Sequence, residues 1–391
     1  MKIIFLADGT ANGPGEVDSG GGSDPTNVYK LFLRLSPQKS AQPTPARELE
    51  SVATDPGGNP FQRAKYVDGV GVDGNPAQVL MGQAIGSGLV TRIVRGYTFL
   101  SRTYRDGDDL FLIGFSRGAY TVRALAGMIV RQGLLDPTTY DPNDHAAAYR
   151  LAAGAWYQYQ RTISTNHGLL GDFEKFTLGI PGVFDSIPDR YRPVSRIEVV
   201  GVWDTVGSFM TSAIFDAAGG QGDLFPLANT QLSKTVCRGY QAVSLDEQRD
   251  AFQPVLWDAA KNVEQCLFPG AHADIGGGYS ILRGEAELSD ITLDWMTHRL
   301  QQHGILIFGN SIYRHNPNPE GIAHQQWRYP PWATSLLGHA PRRFADRPDL
   351  TIHPAVRLRE RAAEVTFDPG IPSGLGKLPP IVAPYRPLNL P

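Results

Sequence analysis

Apolar residues in this chain gather into short unbroken runs, separated by stretches in which they recur every three or four positions. Four runs, Lys2–Ala7, Leu110–Phe115, Glu198–Trp203 and Asn262–Phe268, are dominated by Val, Ile, Leu and Phe without clean alternation. Each ends at a polar or glycine-rich turn. Such runs suit strands covered on both faces, as in a parallel sheet. Between them, Val79–Tyr104 carries Val79, Ile85, Leu89, Ile93, Val94, Tyr97 and Leu100 at helical spacing, and Tyr120–Arg131 and Asp290–His303 show the same pattern. Strands alternating with helices predict an α/β fold, a mostly parallel sheet flanked by helices.

Three regions and the tail break the alternation. Gly9–Asn27 is rich in Gly, Ser and Asp and reads as a long loop. Ser36–Pro60 is polar and Pro/Gly-rich and reads as a surface excursion. Pro137–Val194 joins a helical stretch, His145–Arg161, to irregular sequence, where a cap over a site would be inserted. From about Asn310 the chain holds nearly half of the 30 prolines, the basic residues Arg342, Arg343 and Arg347, and aromatics around Trp327–Trp332. The expected division is a catalytic domain over 1–310, with a cap-like insertion at 137–194, and a Pro-rich C-terminal arm over 311–391 packed on the core. A partner-binding surface and a disordered tail are the other readings of that arm.

Composition narrows the classes. A net charge of −3 gives no long-range pull towards nucleic acid or an anionic membrane. Cys237 and Cys266 are the two cysteines; with no CxxC or Cys/His metal spacing they read as buried thiols. No 18-residue apolar run exists, and Met1–Ala7 meets Asp8 too soon for a signal peptide. The expectation is synthesis in the cytoplasm, with secretion by a route lacking a cleaved signal left open.

The chemistry begins at Gly114-Phe115-Ser116-Arg117-Gly118, a Gly-x-Ser-x-Gly where an apolar run meets a helical pattern. That is the sequence form of a nucleophile elbow, and it makes the expected fold α/β-hydrolase-like. Side chains at Gly114 and Gly118 would crowd the turn, and the helix that follows aims its positive end at the site. A serine hydroxyl needs a base and an orienting acid, in the chain order Ser, Asp or Glu, His. Asp204 follows the third run, at a strand's carboxyl end where ligands gather in parallel sheets. His272 lies in a glycine-bearing loop just past the fourth run. Asp274 competes for the acid role or braces the loop. His167 precedes Asp204 and fits the order badly, and His298 and His303 read as surface residues. The N–H of Arg117 is one expected oxyanion donor; Gly9 or Thr10, after Asp8 at the end of the first run, is the other. A plain turn with Asp8 bonded to its own backbone is the competing reading. Gly13–Ser23 lacks the Gly-Lys-Ser/Thr ending of a phosphate loop. Asp8, Asp18, Asp24 and Asp73 have no EF-hand spacing, so neither metal nor cofactor is expected.

These residues fall in longer segments: FLADGT (Phe5–Thr10), TNVYKL (Thr26–Leu31), YVDGVG (Tyr66–Gly71), GFSRGAYTVRALAGMI (Gly114–Ile129), GVWDTVGS (Gly201–Ser208), SLDEQRDAFQPVLW (Ser244–Trp257) and FPGAHADIGGGY (Phe268–Tyr279). In order and content they resemble the α/β-hydrolase family of formerly unknown function that includes the type VI secretion phospholipase effectors. The resemblance implies a serine hydrolase with Ser116, Asp204 and His272 as its triad and glycerophospholipid esters of rival bacteria as substrate. Its implied partners are phospholipid or another acyl ester, peripheral membrane contact, and an immunity or secretion-apparatus protein; nucleic acid is not among them. Those effectors often carry a sizeable extra region for membrane association, whereas here the chain after residue 310 is short and Pro-rich. The expected function is ester cleavage of phospholipase type. A soluble or polymeric ester is the alternative substrate, and a non-catalytic binding protein is the alternative class.

Overall fold

The computed structural model describes residues 1–9, 24–37, 48–69, 85–141, 143–163, 187–207, 230–309, 313–329, 332–333, 339–370, 372–373, 376–377, 379–387 and 390. Their strands are β1 (Lys2–Ala7), β2 (Glu48–Thr54), β3 (Pro60–Val67), β4 (Asp109–Phe115), β5 (Leu134–Leu135), β6 (Tyr191–Arg192), β7 (Ile197–Trp203), β8 (Val236–Ser244), β9 (Val263–Phe268), β10 (Thr351–Ile352), β11 (Val365–Asp368), β12 (Pro372–Ser373), β13 (Gly376–Lys377) and β14 (Ile381–Ala383). The helices are α1 (Asn27–Leu33), α2 (Ile85–Thr103), α3 (Arg117–Gln132), α4 (His145–Ile163), α5 (His272–Gly276), α6 (Glu287–Gln302) and α7 (Pro354–Arg361).

Eight strands form one sheet in the order β10-β9-β8-β7-β4-β1-β3-β2. Every neighbouring pair is parallel except β2 with β3. The four runs read from the sequence are β1, β4, β7 and β9, each within a residue of its expected bounds. Because strand side chains alternate, Ile3, Phe5 and Ala7 of β1 enter one core with α2, α3 and α4, whereas Ile4 and Leu6 enter another with α1, α5 and α6. A third cluster joins Val243, Leu245 and Leu267, at the carboxyl ends of β8 and β9, to Phe344, Leu350, Val356, Val365 and Tyr385.

Several expectations need correction. The excursion at Ser36–Pro60 contains β2, the antiparallel edge strand. Neither β3 nor the nine-residue β8 forms an apolar run, yet both lie inside the sheet. Helix α6 starts at Glu287, before the expected Asp290, and α3 starts at Arg117 rather than Tyr120. The Val79 end of the expected Val79–Tyr104 helix lies outside the described residues, as do Thr10, His167, Asp18 and Asp73. Of the region 137–194, α4 packs Trp156 and Tyr159 into the first core. Both cysteines are free thiols, Cys266 buried and Cys237 half-buried.

The register places the site. Ala7 pairs with Gly114, Phe115 with Trp203, and Trp203 with Ala242. Asp8, Ser116 and Asp204 each directly follow a strand, so they line up along the carboxyl edge of the sheet. Among the described residues, no helix is long and apolar enough to cross a membrane.

Candidate active site

Ser116 sits between β4 and α3 with φ 57° and ψ −125°. Among the described residues, Ser116 and Asp204 (φ 40°) are the only non-glycine residues with positive φ. Backbone in that region costs on the order of 1–3 kcal/mol and persists where the surrounding structure enforces it. Here the enforcement is visible. The Ser116 N–H donates to Trp203 O (3.0 Å), and the Asp204 N–H donates to Ala242 O (2.7 Å). The flanking glycines permit close approach: a Cβ on Gly114 would lie 2.4 Å from Gly118 O, and one on Gly118 would lie 2.1 Å from Ala7 O.

The hydroxyl of Ser116 lies 2.8 Å from His272 Nε2, and His272 Nδ1 lies 2.5 Å from Asp204 Oδ2. All three residues are buried. Phe115 packs against the imidazole at 4.7 Å between ring centroids and Phe252 meets it edge-on at 4.9 Å, which fixes the ring plane. Burial pushes the His272 pKa below its ordinary value, against the pull of Asp204. Burial alone would raise the Asp204 carboxyl. The Arg342 charge and the bonds from His272 and Arg342 outweigh it and hold the carboxyl far below the usual range.

Asp274 does not reach the imidazole of His272. It braces the loop, with Oδ2 accepting from the N–H groups of Ala271 (2.8 Å) and His324 (2.9 Å) and Oδ1 lying 2.7 Å from His324 Nδ1. His303, expected at the surface, is half-buried between Glu198 (2.7 Å) and the Tyr240 hydroxyl (3.0 Å); His298 is exposed. Asp8 is buried at the end of β1. It accepts from the Gly9 N–H (2.7 Å), Thr26 Oγ1 (2.8 Å) and the Tyr66 hydroxyl (2.7 Å), and burial raises its pKa to about 6 against those donors. The Gly9 N–H is therefore engaged by its neighbour's carboxylate. The Arg117 N–H belongs to the first turn of α3, where backbone donors have no intrahelical acceptor. Among the described residues, no group of three or more His, Cys, Asp or Glu gathers to hold a metal.

Four residues at the site carry no signal of their own in the sequence. Ser244 donates its N–H to Asp204 Oδ1 (2.9 Å) and its hydroxyl to Gly270 O (2.8 Å). Glu247 accepts the His272 backbone N–H (3.1 Å) and is forked by Arg249, whose guanidinium covers the Phe252 ring. Burial would raise the Glu247 carboxyl, but Arg249 outweighs it and holds it at about 2. These residues fall in the segment Ser244–Trp257, whose likeness to a family pattern is the only hint of a role. The fourth is Arg342. Its Nη1 and Nη2 donate to Asp204 Oδ1 (2.6 Å) and Oδ2 (2.9 Å), and both side chains are fully buried.

The family described as type VI secretion system phospholipase effector Tle1-like, catalytic domain, matches residues 1–299. An uncharacterized protein of Saccharomyces cerevisiae is 30% identical over 180 residues, covering 46% of this chain and 23% of that protein. The structure of the Tle1 effector bound to the VgrG spike of the type 6 secretion system aligns with a TM-score of 0.38 at 18% identity, covering 71% of this chain and 51% of that one. An uncharacterized protein from Pseudomonas aeruginosa aligns with a TM-score of 0.40 at 16% identity, covering 82% of this chain and 49% of that one. The chain thus spans under a quarter of the yeast relative and about half of each of the two solved chains. With three quarters of its residues under one family pattern, this chain belongs to the Tle1-like family of type VI secretion phospholipase effectors.

Proposed function

We propose that the chain is a serine ester hydrolase of phospholipase type, with Ser116 as nucleophile, His272 as general base and Asp204 as the orienting acid. The observation that carries this reading is the unbroken series from Ser116 Oγ through His272 to Asp204, at 2.8 and 2.5 Å. With Asp204 ionised and accepting from Nδ1, the neutral imidazole presents a bare Nε2 to the serine. As Oγ attacks the ester carbonyl, Nε2 takes its proton and the carbonyl oxygen becomes an oxyanion. The Arg117 N–H at the start of α3 is the proposed first donor to that oxygen. The N–H of Gly9, once released from Asp8, or that of Thr10 is the proposed second. Collapse of the intermediate breaks the ester bond, and His272 protonates the departing alcohol. Water then attacks the acyl-serine by the same route and releases the fatty acid.

The family description supports a glycerophospholipid substrate, a secretion-apparatus partner and delivery into a target cell. A cap-like insertion is proposed within 137–194, beyond the core-packed α4, and a Pro-rich arm packed on the core over 311–391. A phospholipid panel, with products identified by mass, tests the activity. Wild type should release fatty acid, and Ser116→Ala should lose turnover by roughly 10⁴ to 10⁶-fold. Equal release by both proteins would refute the assignment.

A further inference from the structure

We infer that Arg342 is a positioning residue for the proposed reaction, a fork that fixes the Asp204 carboxylate in the plane that receives the His272 Nδ1–H. The inference rests on the assignment of Ser116, His272 and Asp204 above. It goes beyond that assignment by drawing the chain outside the family-matched residues 1–299 into the chemistry.

The geometry is specific. Each terminal guanidinium nitrogen takes a different carboxylate oxygen, at 2.6 and 2.9 Å, so the pairing is end-on and bidentate. That arrangement sets the rotation of the carboxylate about its last bond, which a single donor would leave free. The oxygen facing His272 is then fixed in direction as well as distance. The fork is itself anchored. Nη1 also donates to Ser244 O (2.8 Å), and Nη2 and Nε donate to Phe252 O (2.5 and 3.2 Å). Phe252 is the ring that meets His272 edge-on, so one guanidinium ties the acid and the wall of the base's pocket together. Asp204 in turn holds positive φ, and its Oδ1 also accepts the Ser244 N–H. Arg342 is carried in by a segment seated on the third cluster through Phe344 and Leu350. The segment that covers the third cluster therefore also supplies the donors to the acid.

A buried pair could also act only as an anchor for the tail, and the pH profile separates the two roles. The charged groups bearing on His272 are Asp204, Glu247 and Arg249; those bearing on Asp204 are Arg342 and His272. Removing the Arg342 charge leaves Asp204 uncompensated before the imidazole. The imidazolium then forms more readily, and the acid limb of kcat/KM moves to higher pH. An anchor lost without effect on the acid would leave that limb in place.

The experiment measures hydrolysis of a short-chain p-nitrophenyl ester by full-length wild type, Ser116→Ala, Arg342→Gln and Arg342→Lys, each with a thermal melt. Arg342→Gln should lower kcat by about 100-fold, with little change in KM. Its acid limb should rise by about one pH unit. Arg342→Lys keeps the charge but not the fork, so its limb should stay near wild type while kcat still falls. A folded Arg342→Gln protein with the kcat and acid limb of wild type overturns the inference. If Arg342→Gln gives no cooperative melt, Arg342→Lys decides alone, and kcat at the wild-type level in that variant overturns the fork. Equal activity in wild type and Ser116→Ala would instead count against the hydrolase assignment itself.

Discussion

His272 must be neutral to take a proton, and its surroundings favour that state. Burial lowers its pKa from the ordinary 6.5, and this outweighs the opposing pull of Asp204. The sign follows directly. A base that resists protonation stays competent as pH falls, so the acid limb of wild-type kcat/KM should have its midpoint below 6.5. A pH–rate profile on a soluble ester checks this, and a midpoint above 6.5 would mean that the carboxylate outweighs desolvation. Ser116, Asp204 and His272 are legible in the sequence for a physical reason. Each closely follows an apolar run, and a parallel sheet delivers such positions to one edge. Asp274 lies two residues beyond His272, and the sequence leaves it as a competitor to Asp204 for the acid role or as a brace for the loop. Only the fold shows its carboxylate turned towards Ala271 and His324. Arg342 has no local signal at all. Its role comes from a partner 138 positions away, and burial of an arginine is not written in its neighbours.

At the scale of the element, the elbow depends on how closely α3 meets β1. The Cα of Gly118 faces the carbonyls at the end of β1, and a methyl there would lie 2.1 Å from Ala7 O and 2.5 Å from Asp8 O. Backbone oxygens at a strand end cannot swing aside as a side chain can, so Gly118→Ala has to push the helix off the sheet. The expected cost is about 1–3 kcal/mol, as for other overpacked sites, together with weak labelling of Ser116 by a fluorophosphonate probe. Gly309→Ala meets nothing within 4 Å and serves as the control. Equal melting temperature and labelling in both variants would refute the steric argument. The same scale shows why half the sheet escapes sequence reading. Strand β8 carries Arg238, Gly239 and Gln241 among its apolar residues. Gln241 is buried because Gln265 of β9 bonds to it at 3.0 Å and Val255 O accepts from it at 3.3 Å. A buried polar ladder of this kind breaks the apolar run by which an interior strand is found. Strand β2 fails for the opposite reason: it is a mostly half-buried edge with Glu48 and Glu50 paired to Lys65, and it sits in Pro- and Gly-rich surroundings.

Across the whole molecule, the question is whether residues beyond the family-matched 1–299 are an appendage or part of the folded unit. Strand β10 pairs with β9 and extends the sheet by one strand. Helix α7 is capped by His353, begins with Pro354, and places Val356 in the third cluster. Arg359, fully buried, donates to the carbonyls of Pro319, Gly321 and Thr366 and so ties the returning chain to itself. Phe344, Leu350, Val356, Val365 and Tyr385 all lie in this segment, and together they cover Val243, Leu245 and Leu267. At about 1.5–3 kcal/mol for each large apolar side chain buried, their burial is worth on the order of 10 kcal/mol. That is comparable to the whole net stability of a typical domain, about 5–15 kcal/mol. A chain ending at residue 309 should therefore not form a stable native state. It would expose the edge of β9, uncover the apolar ends of β8 and β9, and leave Asp204 buried without its arginine. Circular dichroism melting and size-exclusion chromatography check this, with the expected result a broad or absent transition and self-association through the bared edge. A soluble 1–309 protein with a sharp melt would mean that the sheet closes without residues 310–391, and that the third cluster is a surface contact rather than core.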